Sequence, residues 1–499
     1  MERIDMLKRV DLQKLIEIFI YKNLERKEYQ VKKQFAKELL TWNRLDLAFK
    51  LFYLDNVDVY PELAKEVYRE DIRSQTLGTF IELGNESGKN CFESYIESFS
   101  ATYESIKEEG FSRDKTLVPL SSNGAILNGA HRVASAIQLN KIVSTVMTEE
   151  VDMVADYQYF LDRGVCTKHL DLVVQKFIEY SKDDIYIAFL WPSGVGHRNE
   201  VEKMFSNILY KKEIKLAARG AFNLLVELYK HMDWVGTSED GFGGVKQKLI
   251  ECFPELESFQ VIFFQSESIE KVQKIKEKIR GVYNIGYSSI HITDTKEEAI
   301  RMSQLLCNEN GLHFLNYAKP YEFLETYKRL DKFKQFLLRN SIKFNDVIID
   351  GSTTLSLYGL RESADLDFLV LDDSSIVVSN KCFETHDSEL KYHGKGKTEL
   401  IYDSRNYFIF YGLKFITFSQ LYSMKTNRNE QKDRNDCLIM KASLNGKSYR
   451  KLNAQFKQKL FYTKIRMRHS FDRQVKSTLE WLGLYDCVRS AFRRFKNLK

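Results

Sequence analysis

Between residues 349 and 373 the chain reads IDGSTTLSLYGLRESADLDFLVLDD. An apolar run stops at Gly351-Ser352, and after a stretch of mixed polarity Asp365-Leu366-Asp367-Phe368 opens a second apolar run. Side chains on a strand alternate between faces, so Asp365 and Asp367 share one face while Leu366 and Phe368 take the other. Two carboxylates on one face repel, and without a cation one of them tends to take up a proton. A divalent metal relieves this, and hard oxygen ligands suit Mg2+, or Mn2+ in its place. Mg2+ is commonly held by one or two carboxylates together with substrate phosphates, which points to phosphoryl or nucleotidyl transfer. Gly351 and Ser352, between a strand and a helix, offer backbone N–H groups to a triphosphate. The competing reading of Asp365 and Asp367 is a solvated strand edge.

The rest of the chain gives this unit its setting. At 499 residues it is too long for one core, which predicts about three domains. Five prolines and 43% apolar residues are globular values. No apolar run reaches the roughly 18–20 residues needed to span a bilayer. The charged, helix-periodic start lacks the shape of a signal peptide. Seven widely spaced cysteines with no C-x-x-C suit reduced thiols and give no zinc pattern, so a cytoplasmic location is expected. The net charge of +6 is uneven: Ser443 to Lys499 holds fifteen Lys/Arg and three acids, about +12, leaving about −6 elsewhere.

Periodicity predicts an α+β multidomain chain. Residues 1–75 read as helices through LQKLIEIFIYKNL and VKKQFAKELLTW. Residues 76–180 read as a small α/β domain, with Asn123-Gly124 as a hairpin signal. Residues 181–320 alternate strand and helix as a layered α/β domain, with strands at IYIAFLW, FQVIFFQS and YSSIHIT and a helix capped at Asp294/Thr295. Residues 321–440 begin with an amphipathic helix, carry the opening stretch, and continue with strands at KTELIYD, YFIFYG and LKFIT. Residues 441–499 form a basic helical tail.

The stretch IIDGSTTLSLYGLRESADLDFLV resembles the nucleotidyltransferase fold of the DNA polymerase β superfamily, whose signature is apolar-Gly-[Gly/Ser], a spacer, then Asp-apolar-[Asp/Glu]-apolar. It departs at Asp350, where an apolar residue is usual. Arg361 before the acidic pair resembles the small antitoxin-like and aminoglycoside-type members. The resemblance implies a mixed sheet and a third acid on a neighbouring strand, for which Glu399 is the first candidate and Asp403 the second. LYSMKTNRNEQKDRNDCLI resembles the basic helix that follows the catalytic sheet in such transferases, with Lys425, Arg428, Lys432, Asp433 and Asp436 at the matching positions. Lys425, Arg428 and Lys432 then share a helix face and meet phosphates; a solvated face is the alternative. The implied mechanism is in-line displacement in which Asp365, Asp367 and Glu399 hold the metal and Gly351 and Ser352 bind the β- and γ-phosphates.

A second stretch, VPLSSNGAILNGAHRVASAIQLNK, resembles the ParB/sulfiredoxin-like fold, in which an Asn/Asp-Gly-x-His-Arg turn binds nucleotide phosphates. Asn128, Gly129, His131 and Arg132 match it, with Glu82 and Glu86 as acids by placement and Lys89 as an assistant. Ala130 stands where sulfiredoxin needs Cys, which excludes that chemistry. The resemblance implies a second nucleotide site, kinase-like or binding only; an ordinary loop–helix junction is the alternative.

PSGVGHRNE lacks the Lys and spacing of a Walker A loop. SEDGFGGVKQK, and SSIHITDTKEEA with His291 and Asp294, are candidates to line a substrate pocket or else simple turns and caps. The tail suits an anionic membrane surface on the inner face, nucleic acid, or a solvated helix face.

Together these readings predict a Mg2+-dependent nucleotidyltransferase that uses an NTP and a small phosphorylated or hydroxylated acceptor, such as a surface-polysaccharide precursor. The alternatives are a nucleic-acid-associated or toxin/defence-type nucleotidyltransferase, and a nucleotide-binding scaffold.

Overall fold

The computed structural model describes residues 5–82, 88–150, 153–182, 184–371, 383–444 and scattered positions between 456 and 485. It is an α+β chain built on three sheets. Most of the basic tail, and Glu86, lie outside the described residues.

The first sheet contains β1 (Asp5–Lys8), β2 (Glu28–Phe35), β3 (Val118–Leu120) and β4 (Ile142–Met147), in the order β1-β2-β4-β3. Residues 1–75 are therefore not all helical. VKKQFAKELLTW begins in β2, where Tyr29 and Val31 are buried and the residues between and beside them are exposed. Strand pairing outweighs the helical spacing of Val31 and Phe35, because β1 pairs with Glu28–Val31 and β4 with Val31–Phe35. The hairpin expected at Asn123-Gly124 shrinks to a turn closed by a bridge between Leu120 and Ile126. Beside this sheet, Arg44, Asp46, Lys50 and Asp71 form a buried charge network, with Lys50 Nζ 2.6 Å from Asp71 and 3.4 Å from Asp46.

The middle unit holds β5 (Ile185–Leu190), β6 (Ile208–Ile214), β7 (Phe259–Gln265) and β8 (Ile290–Ile292), antiparallel in the order β6-β7-β5-β8. β6 breaks the expected pattern; its central YKKE hides an edge strand inside a charged stretch. Ile187, Phe189, Val261 and Phe263 face the main core, which runs on into the C-terminal unit. Tyr186, Ala188, Leu190, Ile262 and Phe264 face a second cluster with Val272 and Ile279 of the helix Ile269–Tyr283. The helix Lys296–Leu306 is capped as expected, with the Thr295 hydroxyl accepting from Glu298 N at 3.1 Å.

The third sheet comprises β9 (Val347–Asp350), β10 (Leu366–Val370), β11 (Phe383–Thr385), β12 (Tyr407–Phe410) and β13 (Leu413–Ile416), in the order β11-β10-β9-β13-β12. The amphipathic helix Glu325–Arg339 packs on one face of it. Phe333 lies 5.0 Å from Phe368 and 5.4 Å from Phe383, centroid to centroid. Since Phe368 and Phe383 turn toward this helix, their strand neighbours Asp367 and Glu384 turn to the opposite face. KTELIYD is not a strand: Lys397–Tyr402 is helical, and its three consecutive buried residues, Leu400, Ile401 and Tyr402, cannot share one face of a strand. Among the described residues, no helix is long and apolar enough to cross a membrane.

Candidate functional site

The free face of the third sheet opens into a cleft of about 400 Å³. Its floor is set by strand register. Asp367 of β10 stands opposite Asp350 of β9 and Glu384 of β11. Paired residues on neighbouring strands point to the same side, so Asp350, Asp367 and Glu384 share a face, with Asp365 at the mouth of β10. Asp365, Asp367 and Glu384 all line the cleft.

The turn before the cleft is shaped by one contact. Gly351 has φ +67°, and a Cβ added there would lie 2.3 Å from Asp367 Oδ2. Only glycine leaves room for the carboxylate while holding this backbone shape. Ser352 begins the short helix Ser352–Leu357, and Thr353 Oγ1 donates to Asp365 O at 3.2 Å, tying that helix to the start of β10. Ser356 Oγ donates to Arg361 O at 3.0 Å and accepts from Ser363 N at 2.6 Å, which fixes the loop that carries Arg361.

Asp350, the departure from the family pattern, is explained by two histidines. Its Oδ2 lies 2.7 Å from His386 Nδ1 and 2.9 Å from His393 Nε2. Burial alone raises this carboxyl, but the two histidine hydrogen bonds outweigh it and hold Asp350 well below the usual carboxylate range. His386 lines the cleft. Burial lowers its imidazole, the bond to Asp350 more than reverses this, and its pKa is raised. Asp367 behaves differently. Burial, with added repulsion from Asp365, Asp350 and Glu384, pushes its carboxyl up to about 6 against the opposing pull of His386. The face thus carries more negative charge than its own groups answer.

The cations on the opposite wall are held from behind. LYSMKTNRNEQKDRNDCLI forms two helices, Phe418–Arg428 and Gln431–Leu444, because Asn429 takes a left-handed conformation between them. Lys425 and Arg428 are on the first helix and Lys432 is on the second, yet all three line the cleft. Asp436 receives a bidentate bond from Arg361, at 2.7 and 2.9 Å, and an ion pair from Lys425 at 2.9 Å. Asp433 pairs with Lys425 at 3.3 Å and with Arg428 at 2.8 Å. Lys432 pairs with Glu430 at 3.2 Å. The two aspartates set the positions of Arg361, Lys425 and Arg428 rather than contributing to the carboxylate face.

The two acids expected to complete the carboxylate set lie elsewhere. Glu399 lies on the helix Lys397–Tyr402 and pairs with Lys395 at 3.1 Å, and Asp403 is bound by Arg405 at 2.9 Å. Neither lines the cleft. By register Glu384 stands beside Asp367 on the cleft face instead. It went unread because β11 is three residues long, too short for a periodicity to register. The alternation Glu384-x-His386 was its one trace in the sequence.

The second predicted site is engaged within the fold. Gly129, with φ +88°, caps the helix Ala130–Gln138, and Asn128 Oδ1 accepts from Gly129 N. Arg132 donates to Glu17 at 2.6 Å and to Thr116. His131 Nε2 lies 2.7 Å from Tyr68 Oη, and Lys89 pairs with Glu82 at 3.2 Å.

The chain was compared with family models, curated proteins and solved structures, and none matches it.

Proposed function

We propose that this chain is a Mg2+-dependent nucleotidyltransferase, of the DNA polymerase β-like type, acting on a small phosphorylated or hydroxylated acceptor such as a surface-polysaccharide precursor. The observation that carries the reading is the register that stacks Asp350, Asp367 and Glu384 on one face beside Asp365, opposite Arg361, Lys425 and Arg428. Asp350, Asp367 and Glu384 share a strand face beside Asp365; two histidines hydrogen-bond Asp350, and burial and repulsion hold Asp367 protonation-prone. An all-oxygen donor set short of positive charge fits Mg2+ or Mn2+. Asp365, Asp367 and Glu384 would hold it. Bound there, the ion would offset triphosphate charge and polarise the α-phosphoryl group.

The protein's own residues do the remaining work. Gly351 allows the phosphate chain to approach the Asp367 edge, and Ser352 borders it. Arg361, Lys425 and Arg428 receive the non-bridging oxygens, their charged ends held in place by Asp433 and Asp436. The acceptor oxygen, a phosphate oxygen or a hydroxyl whose proton passes to solvent, forms a bond to the α-phosphorus, the bond from that phosphorus to the β-phosphate oxygen breaks, and pyrophosphate departs. The turn at Asn128–Arg132, where Arg132 pairs with Glu17, has no part in this reading.

Incubation with each α-³²P NTP and Mg2+ across a panel of sugar and polyol phosphates tests the proposal. Label is expected in an acceptor with wild type and not with Asp365→Asn. No transfer from any NTP, or equal transfer by both proteins, would overturn it.

A further inference from the structure

Two stretches that nucleotidyl transfer does not use, 238–248 and 286–294, meet in the middle unit around a cavity of about 490 Å³. That volume is in the range of small-molecule sites. Three cations line it. Lys276 and Arg280 stand one turn apart on the helix Ile269–Tyr283, and Lys248 projects from the helix Gly243–Cys252. Lys276 is only 6% exposed, and its Nζ donates to Ile292 O at 3.1 Å and Asp294 Oδ1 at 3.3 Å. Lys248 donates to Tyr287 O at 2.9 Å and Ser288 Oγ at 3.1 Å. Arg280 differs: its buried Nε has no hydrogen-bond partner, and among the described residues it forms no ion pair. A buried N–H left without a partner costs free energy unless a ligand or water completes it.

The mouth is aromatic. Trp234 is 47% and Tyr287 74% exposed, and the Arg280 guanidinium lies 4.4 Å from the Tyr287 ring centroid. Gly244 makes this wall possible, because a Cβ there would lie 2.0 Å from Trp234 O, so the helix Gly243–Cys252 sits flush against the turn carrying Trp234. The acids at the cavity are occupied: Glu251 accepts from Ser288 and Gln247, and Asp294 from Lys276. Large exposed aromatic side chains over a cationic floor are the makings of a site for a flat or ringed anion.

We propose that this cavity binds a phosphate monoester carried on a ring. Arg280 takes the phosphate with support from Lys276 and Lys248, and the ring lies against Trp234 and Tyr287. Nucleosides and sugars both supply such compounds, so the test separates them.

Calorimetric titration of the full chain in EDTA, which silences the carboxylate cleft, uses AMP, UMP, glucose 6-phosphate, adenosine, glucose and inorganic phosphate as probes. At least one phosphorylated ring compound is expected to bind more tightly than its unphosphorylated partner and than inorganic phosphate. Arg280→Ala should weaken it at least tenfold, Arg280→Lys less, and Trp234→Ala should weaken the ringed ligand but not inorganic phosphate. Asp365→Asn should leave it unchanged, so this proposal and the transferase reading fail separately. AMP or UMP prevailing assigns a base to the aromatic mouth; glucose 6-phosphate prevailing assigns a sugar. No binding at millimolar concentration, or binding unaffected by Arg280→Ala in a variant whose melting curve matches wild type, would overturn the proposal.

Discussion

The Asp367 carboxylate rests against the Cα of Gly351, with 2.3 Å between its Oδ2 and the place where a Cβ would stand. One residue's missing side chain is therefore the space that another residue's charge occupies. Gly351→Ala should push Asp367 away from its partners across the strand. Its left-handed φ adds a stability cost of about 1 kcal/mol. The expected result is a drop of roughly a hundredfold in kcat from misplacement, with a melting temperature only a few degrees lower. Steady-state kinetics and a thermal melt on the same preparation check it. Unchanged kcat would mean that Asp367 does not sit where the chemistry occurs.

Asp350 is the hinge of a buried trio, with histidines on one oxygen and no partner on the other. Removing its charge leaves His386 without a counter-ion and weakens the hydrogen bond that holds the buried His393. Asp350→Asn should lower unfolding stability by about 3 kcal/mol. Urea denaturation measures this, and a change under about 0.5 kcal/mol, the usual scale for a surface site, would contradict the buried-clamp assignment.

The relation between sequence and site is uneven for physical reasons. Asp365 and Asp367 were legible because strand alternation puts i and i+2 on one face whatever surrounds them. Glu384 was not, since its position depends on the pairing of a three-residue strand with β10, a long-range fact. Glu399 was misplaced because KTELIYD fits both periods, and packing of Leu400, Ile401 and Tyr402 decided for helix. The same conflict hid β2 among helix-like spacings. Lys425 and Arg428 were readable as a basic helix face, but not that Asp433 and Asp436, across the break at Asn429, hold them. The α+β class and the helices Glu325–Arg339 and Lys296–Leu306 were plain because their apolar periodicity is long and their packing follows it.

Lys50 links Asp46 and Asp71, and the three side chains are at most 1% exposed. Lys50→Met should unfold the protein more readily by about 3–5 kcal/mol, because two buried carboxylates lose a shared cation. Asp71, which burial already pushes up to about 6, should then be protonated in the folded state at neutral pH. Chemical denaturation of the variant at pH 5 and pH 8 tests both points, with the larger loss expected at pH 8.

Lys414 of β13 is buried, and burial pulls its ammonium down to about 7. The unfolded chain keeps an ordinary lysine, near 10.4. Between those values the unfolded state binds the extra proton, so this residue makes stability rise with pH from about 7 to about 10. Lys414→Met leaves the carbonyls of Asn345 and Ile401 without its donor, so absolute stability is not the readout. The slope is. Denaturation midpoints from pH 7 to pH 9.5 should climb less steeply in the variant than in wild type, and parallel slopes would refute the assignment.

The central claim is that Asp365, Asp367 and Glu384 form one divalent-cation face. Electron paramagnetic resonance titration of Mn2+ with a non-hydrolysable NTP tests it most directly. Wild type should immobilise Mn2+ in a nucleotide-dependent way. Asp367→Asn and Glu384→Gln should each lose that signal, and Glu399→Gln should retain it. Equal Mn2+ binding by wild type, Asp367→Asn and Glu384→Gln, or loss of binding in Glu399→Gln alone, would contradict the account.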